Sequence, residues 1–190
     1  MSTEPNSVNA NSWVTPKVQV RVDPGKGKGL YVIEPIVAGE PVCTWDYAAY
    51  KKKTKTYTRE EIEATPEPIR SVLIRYSWML GHNEYDSIED PGDDISFCYN
   101  HSCEPTTWFA INDDSSLIAV RDLQIGDELT YDYATTETEN SFHAGMQCLC
   151  GSAKCRGVLS GKEHQDPAFV EQYKGRFSTF IQSLLDARSS

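Results

Sequence analysis

Cys148, Cys150 and Cys155 form a Cys-x-Cys-x4-Cys arrangement, tight enough for three thiolates to converge on one ion while Gly151 lets the backbone fold back. Zinc is the metal that suits such ligands. A structural zinc site takes four tetrahedral ligands, so the segment is one short and the fourth must come from elsewhere in the chain. Cys103 is the first candidate, His143 the second and Cys98 the third. The opposing reading, a disulfide plus a spare thiol, is disfavoured because the two cysteines of Cys-x-Cys are poorly placed to pair. A second constellation, Gly25-x-Gly27-x-Gly29, fails the dinucleotide-binding and P-loop tests, since no helix follows it and the spacing is wrong. Glycines there can still let main-chain groups approach a bound molecule closely. A ligand with a carboxylate tail would meet Lys26 and Lys28 at that turn.

The elements around these residues read as mainly β with a helical insert. Val18, Val20 and Val22 alternate with Lys17, Gln19 and Arg21, which predicts a strand with one buried face, followed by strands near 30–33 and 42–45. Thr58 with Glu61 three residues on is a capping-box signature opening a short helix. Ile69, Val72, Leu73 and Tyr76 at helical spacing predict a second helix over 69–80. The acidic stretch 84–94, with Pro91-Gly92, reads as a loop. Strands are expected again at 107–111, 117–121 and 129–133. Asp166 and Pro167 then open a terminal helix whose Phe169, Tyr173, Phe177, Phe180 and Leu184 form an apolar stripe.

Length and charge bound the rest. With 190 residues the chain can bury roughly 70% of its unfolded surface in one domain. Its net charge of −10 argues against nucleic acid as the direct partner and for a cationic one. No apolar run reaches membrane-spanning length. Residues 1–16 read as a flexible tail, and 1–11 carry Glu4 but neither positive charge nor apolar run, so no secretory or transit signal is expected. An intracellular place follows, nucleus or cytoplasm in a eukaryote and cytoplasm in a bacterium, with the six cysteines reduced. The lysines 51, 52, 53 and 55 read as a solvated surface.

Two further segments, Asn100-His101-Ser102-Cys103-Glu104-Pro105 and Gly126-Asp127-Glu128-Leu129-Thr130-Tyr131-Asp132-Tyr133, complete a pattern. With the glycine turn and the cysteine segment, in this order and spacing, the chain resembles the SET-domain methyltransferases. The resemblance implies a flexible tail at 1–16, a SET domain over 17–144 with its insert at about 58–94, a zinc-binding post-SET segment at 145–160, and a C-terminal helix in 161–190. The implied fold is the SET-type β-clip with a pseudoknot that brings Tyr133 beside the cofactor. Thr106, Phe97 and Ala48-Ala49 depart from the family's usual residues.

The implied activity is methyl transfer from S-adenosylmethionine to the ε-amine of a lysine in a protein. Lys26, Gly27, Lys28, Gly29 and Leu30 would hold the donor's methionine part through main-chain contacts, and Tyr47 matches a position near the same end. Asn100 and His101 would contact the donor, and Leu149 would cover its adenine. The family's fourth zinc ligand matches Cys103, joining Cys148, Cys150 and Cys155. Tyr133 is the implied catalytic residue. Tyr131, where family members carry Phe or Tyr, can hold a water that a second methyl group would have to displace, which points to mono-methylation. The implied substrate is a basic, lysine-containing protein or peptide, with histones among the candidates. The alternatives are a SET fold that binds a peptide or partner without methyl transfer, and a methyltransferase acting on a small amine.

Overall fold

The computed structural model describes residues 12–188; the expectations for 1–11 lie outside them. Three sheets carry the fold. The first runs β1 (Ser12–Val14), β4 (Pro41–Trp45), β10 (Asp113–Ala119), β9 (Thr107–Ala110), all antiparallel. The second runs β2 (Val18–Asp23), β3 (Gly27–Val32), β11 (Glu128–Tyr131), β8 (Asn100–His101). Here β11 pairs antiparallel with β3 and parallel with β8, aligning Thr130 with Asn100 and Tyr131 with His101. That parallel pair brings two motifs 30 residues apart in the chain side by side. Ser12–Val14, expected in a tail, instead form a strand, because β4 offers Trp45, Thr44 and Cys43 as ladder partners.

Between these sheets lies a core of Val18, Leu30, Val32, Ile36, Val42, Phe109, Leu117, Leu123 and Leu129. Cys43 and Cys98 belong to it, and burial pushes both thiols up, so they act as small apolar side chains. The valine alternation misleads in part. Val18 is buried, but Val22 is 74% exposed. The hairpin of β2 and β3 runs past the sheet: β11 pairs only with Tyr31 and Leu30 of β3, so from Gly29 outward no third strand among the described residues covers it.

The insert holds its own sheet, β5 (Lys55–Tyr57), β7 (Glu84–Ser87), β6 (Trp78–Gly81), beside helices α2 (Arg59–Ala64) and α3 (Ile69–Arg75). The capping box forms, with Thr58 Oγ1 accepting from Glu61 N and the Glu61 carboxylate accepting from Thr58 N. The helix expected over 69–80 ends at Arg75, because Trp78 and Met79 pair with Asp86 and Tyr85. The acidic stretch is no simple loop either. Asp86, 1% exposed, takes the Lys51 ammonium at 2.6 and 2.7 Å and the Thr56 hydroxyl at 2.7 Å, which lets an acidic residue occupy a central strand. Lys53 likewise pairs with Asp94, so two of the four lysines read as solvated are structural.

The terminal segment is two helices, α4 (Pro167–Gln172) and α5 (Thr179–Arg188). Asp166 caps α4 as expected, but Gly175 at φ 72° breaks the run. Phe169, Tyr173, Phe177 and Ile181 bury with Leu159 and Ala134, and α5 packs on β6. A short helix α1 (Tyr47–Tyr50) follows β4. No helix among the described residues is long and apolar enough to cross a membrane.

Candidate active site

The Sγ atoms of Cys103, Cys148, Cys150 and Cys155 all lie within 4.8 Å of one another, with Cys103 and Cys148 3.7 Å apart. Tetrahedral coordination at a Zn–S distance of about 2.3 Å requires sulfurs about 3.8 Å apart, so the donor set fits a structural zinc ion. Main-chain amides point at the sulfurs: Cys150 N at Cys148, Arg156 N at Cys103 and Gly157 N at Cys155, each at 3.4 Å. Burial works against ionisation of Cys150, but the Ser152 amide and hydroxyl outweigh it and bring the thiol down to about 6. His143, the second candidate, packs instead against the Tyr133 ring at 5.6 Å, and Cys98 sits in the core.

The cysteine segment is clamped to the sheets by Asp132. This fully buried carboxylate takes both Arg156 guanidinium nitrogens, at 2.7 and 2.6 Å, and the Tyr173 hydroxyl at 3.0 Å. Such a fork is geometrically specific. His101 joins the same knot. Tyr133 N donates to its Nδ1 at 3.2 Å, so Nε2 carries the proton and faces Cys103 Sγ at 3.4 Å. Burial holds its pKa below the usual histidine value. Its ring thus ties the cysteine cluster to the Tyr133 backbone.

The glycine turn meets the other motifs at Gly29. A Cβ there would stand 2.6 Å from Glu128 Oε1 and 3.0 Å from Asn100 Nδ2, so a side chain at this position would push those two groups aside. Asn100 Nδ2 donates to Lys28 O at 3.1 Å and Glu128 Oε1 at 2.7 Å. The Lys26 ammonium pairs with the Glu128 carboxylate, so it is not free for a ligand carboxylate. Asp23 Oδ1 accepts from Gly25 N and Lys26 N, and these bonds hold its carboxyl below the usual range. Leu149 is 57% exposed and would stand 3.7 Å from a Cβ on Gly25. Leu30 faces the core, so only its backbone belongs to this cradle.

Tyr133 directly follows the clamping Asp132. Its hydroxyl donates to Tyr99 O at 2.8 Å, and its ring is 4.8 Å from that of Tyr131. Both phenols line a cavity of about 640 Å³ with Tyr47, Tyr50, Tyr76 and Phe97, and burial pushes both pKa values up. Phe109 packs in the core and also lines this cavity. Phe97, a departure from the family pattern, becomes wall, stacked near Tyr50 at 6.0 Å. Thr106, another departure, stitches the site's floor by donating to Glu128 O at 2.7 Å. Ala49, of the third, is buried in α1.

Sequence reasoning missed Arg75. A Cβ on Gly27 would stand 3.6 Å from its Nη1, and it also lines the aromatic cavity. A basic residue in a helix's last turn is ordinarily a complement to the helix dipole, so nothing in the sequence singled it out.

With this geometry in place, residues 15–134 match the model of the SET domain. The chain belongs to the SET-domain family. Among relatives of this SET protein, the methyltransferase flvH of Aspergillus flavus is 34% identical over 42% of this chain and 44% of its own. An H3 lysine-4 specific histone-lysine N-methyltransferase of Cryptococcus neoformans is 32% identical over 71% of this chain and 9% of that protein. An H3 lysine-36 specific one of Yarrowia lipolytica is 29% identical over 75% of this chain and 18% of that protein. The chain thus spans under half the length of each. The methyltransferase domain of human SETMAR overlays with a TM-score of 0.46 at 22% identity, covering 75% of this chain and 57% of that chain.

Proposed function

We propose that this chain transfers one methyl group from S-adenosylmethionine to the ε-amine of a lysine in a basic protein substrate. The observation that supports the reading is that Tyr133 lines an aromatic cavity and donates to the Tyr99 carbonyl, whose chain neighbour Asn100 belongs to the glycine–asparagine cradle. Gly27, Gly29, Asn100, Leu149 and Arg75 would hold the donor, whose bound form supplies an electrophilic sulfonium methyl. The net charge of −10 favours a cationic substrate.

The residues on the cavity side do the rest. Aromatic walls make a lysine ammonium costly and favour the neutral amine. The Tyr133 hydrogen is spent on Tyr99 O, so the phenol oxygen presents lone pairs that can accept and orient an amine N–H. Tyr131 stays a neutral phenol able to retain a water, which limits transfer to one methyl. Alignment of two bound reactants supplies the main acceleration. The four cysteines would hold zinc in a purely structural role, pinning Leu149 over the turn. Six free thiols support an intracellular, reducing location.

Incubating the chain and Tyr133→Phe with labelled S-adenosylmethionine and a panel of basic peptides, whole-cell extract and small amines tests this. Label on peptide lysines, mainly as monomethyl-lysine and lost in Tyr133→Phe, is expected. Peptide binding without label, indifferent to Tyr133→Phe, would instead identify a binding module. Label confined to small amines would refute the protein substrate.

A further inference from the structure

Glu137 is a buried ionisable group at the site that the reading above leaves unused. It is 2% exposed and follows Tyr133 by one turn, its amide donating to the Tyr133 carbonyl at 3.0 Å. Its Oε1 stands 3.3 Å from Thr136 Oγ1, whereas Oε2 is buried with no hydrogen-bond partner. A buried carboxylate oxygen without a donor is a costly arrangement that native proteins rarely keep. The titratable groups facing it are Tyr131, Tyr133 and His143. All three line the aromatic cavity, with rings packed in the order Tyr131, Tyr133, His143 at 4.8 and 5.6 Å.

Thr136 adjoins both the carboxyl and the Tyr133 backbone. Its hydroxyl interacts with the Tyr131 phenol and can donate either to the Tyr133 carbonyl at 3.0 Å or to Glu137 Oε1. Ser141 is the remaining polar neighbour of Glu137. Two hydroxyls therefore lead from the cavity to the one unsatisfied carboxyl behind it.

We propose that Glu137 is the terminal acceptor of the proton that the substrate ammonium loses before methyl transfer, reached through the hydroxyls of Tyr131 and Thr136. This rests on the lysine-methyltransferase reading. An ammonium N–H bond breaks as its proton passes to the Tyr131 oxygen. Tyr131 releases its own hydroxyl proton to Thr136 Oγ1, and Thr136 passes its proton to Glu137 Oε1. A neutral amine, two unchanged hydroxyls and a carboxylic acid result, so protons and charge balance; the acid sheds its proton to solvent between turnovers. Burial raises the Glu137 carboxyl above the ordinary range, against the opposing influence of His143 and the Ser141 and Thr136 hydroxyls. A raised carboxyl is the better match to an amine whose ammonium is desolvated. Glu137 acts through Thr136 and does not itself touch the substrate.

The test is the pH dependence of methyl transfer by the full chain, followed upward to the ordinary lysine pKa of about 10.4. Glu137→Gln keeps the shape and removes the acceptor. Its rate should fall about tenfold to a hundredfold near neutrality, and the deficit should close as rising pH deprotonates the amine without help. Thr136→Val should behave alike and Thr136→Ser should restore the wild-type profile. A deficit constant across pH, no deficit, or a Ser variant no better than Val would overturn the relay.

A second arm needs no donor. Carbon-13 NMR follows the Glu137 carboxyl, assigned by its disappearance in Glu137→Gln, with n-butylamine as a lysine side-chain probe. Butylamine, whose ammonium favours the carboxylate, should lower the Glu137 titration; an unmoved titration would overturn the proposal. If the wild type methylates no amine, the methyltransferase reading falls, and the butylamine arm alone decides whether the carboxyl senses an ammonium in the cavity.

Discussion

The cradle and the cavity are built on opposite principles. The glycine–asparagine cradle and the cysteine clamp beside it are held by polar contacts between motifs distant in sequence: Asn100 to Lys28 O and Glu128, Lys26 to Glu128, and Asp132 to Arg156. The cavity is walled by aromatic side chains from α1, from Tyr76 just after α3, from β11, the stretch before β8 and the start of α5, and those walls owe their positions to packing. The lesson is that a polar cradle breaks when one partner is removed, because a buried charge is left uncompensated, whereas an aromatic wall yields gradually.

The sharpest way to break this contrast is at Asp132. Asp132→Ala leaves the Arg156 guanidinium half-buried without its fork and should cost about 3–5 kcal/mol, detected as a fall in the denaturation midpoint together with easier loss of zinc to chelators. A loss under about 1 kcal/mol, the range of an exposed pair, would mean that the clamp is not structural. Tyr133→Phe comes next. It should lower the rate about 100-fold or more, the scale of one positioned polar group, while donor binding and melting temperature hold; a parallel loss of donor affinity would erase the distinction between the sides.

Arg75→Ala sharpens the boundary, since this side chain reaches both. Binding of S-adenosylhomocysteine, measured by calorimetry, should weaken about tenfold, equivalent to about 1.4 kcal/mol, with 5′-methylthioadenosine, which lacks the amino-acid tail, unaffected. Equal weakening of both ligands would place Arg75 outside the donor's carboxylate end. The smallest effect belongs to Thr58→Ala, which removes the α2 cap and should cost about 1 kcal/mol. Because α2 touches neither side, methyl transfer should be unchanged at temperatures well below unfolding.

The same contrast explains what the sequence made legible. Motif residues of the cradle carry their chemistry in type and spacing, and Cys103, Cys148, Cys150 and Cys155 could be grouped without coordinates. The cavity could not be read that way. Trp78 and Met79 continue a helical run until β7 claims them as a strand, and Asp86 passes for a solvated charge until Lys51 and Thr56 surround it. The apolar stripe of 169–184 fits one helix, yet Gly175 turns it so that α5 reaches β6 and Phe180 joins the cavity wall. Arg75 and Glu137 gain meaning only from neighbours far along the chain or hidden from solvent.

The most direct measurement of the central claim is a crystal structure of the chain with S-adenosylhomocysteine and a lysine peptide. The account predicts the nucleoside against Gly25, Gly29, Asn100 and Leu149, the lysine side chain among Tyr131, Tyr133 and Phe97, and the two meeting at the Tyr133 hydroxyl. Both ligands entering from the same side, or the nucleoside lying in the aromatic cavity, would contradict it.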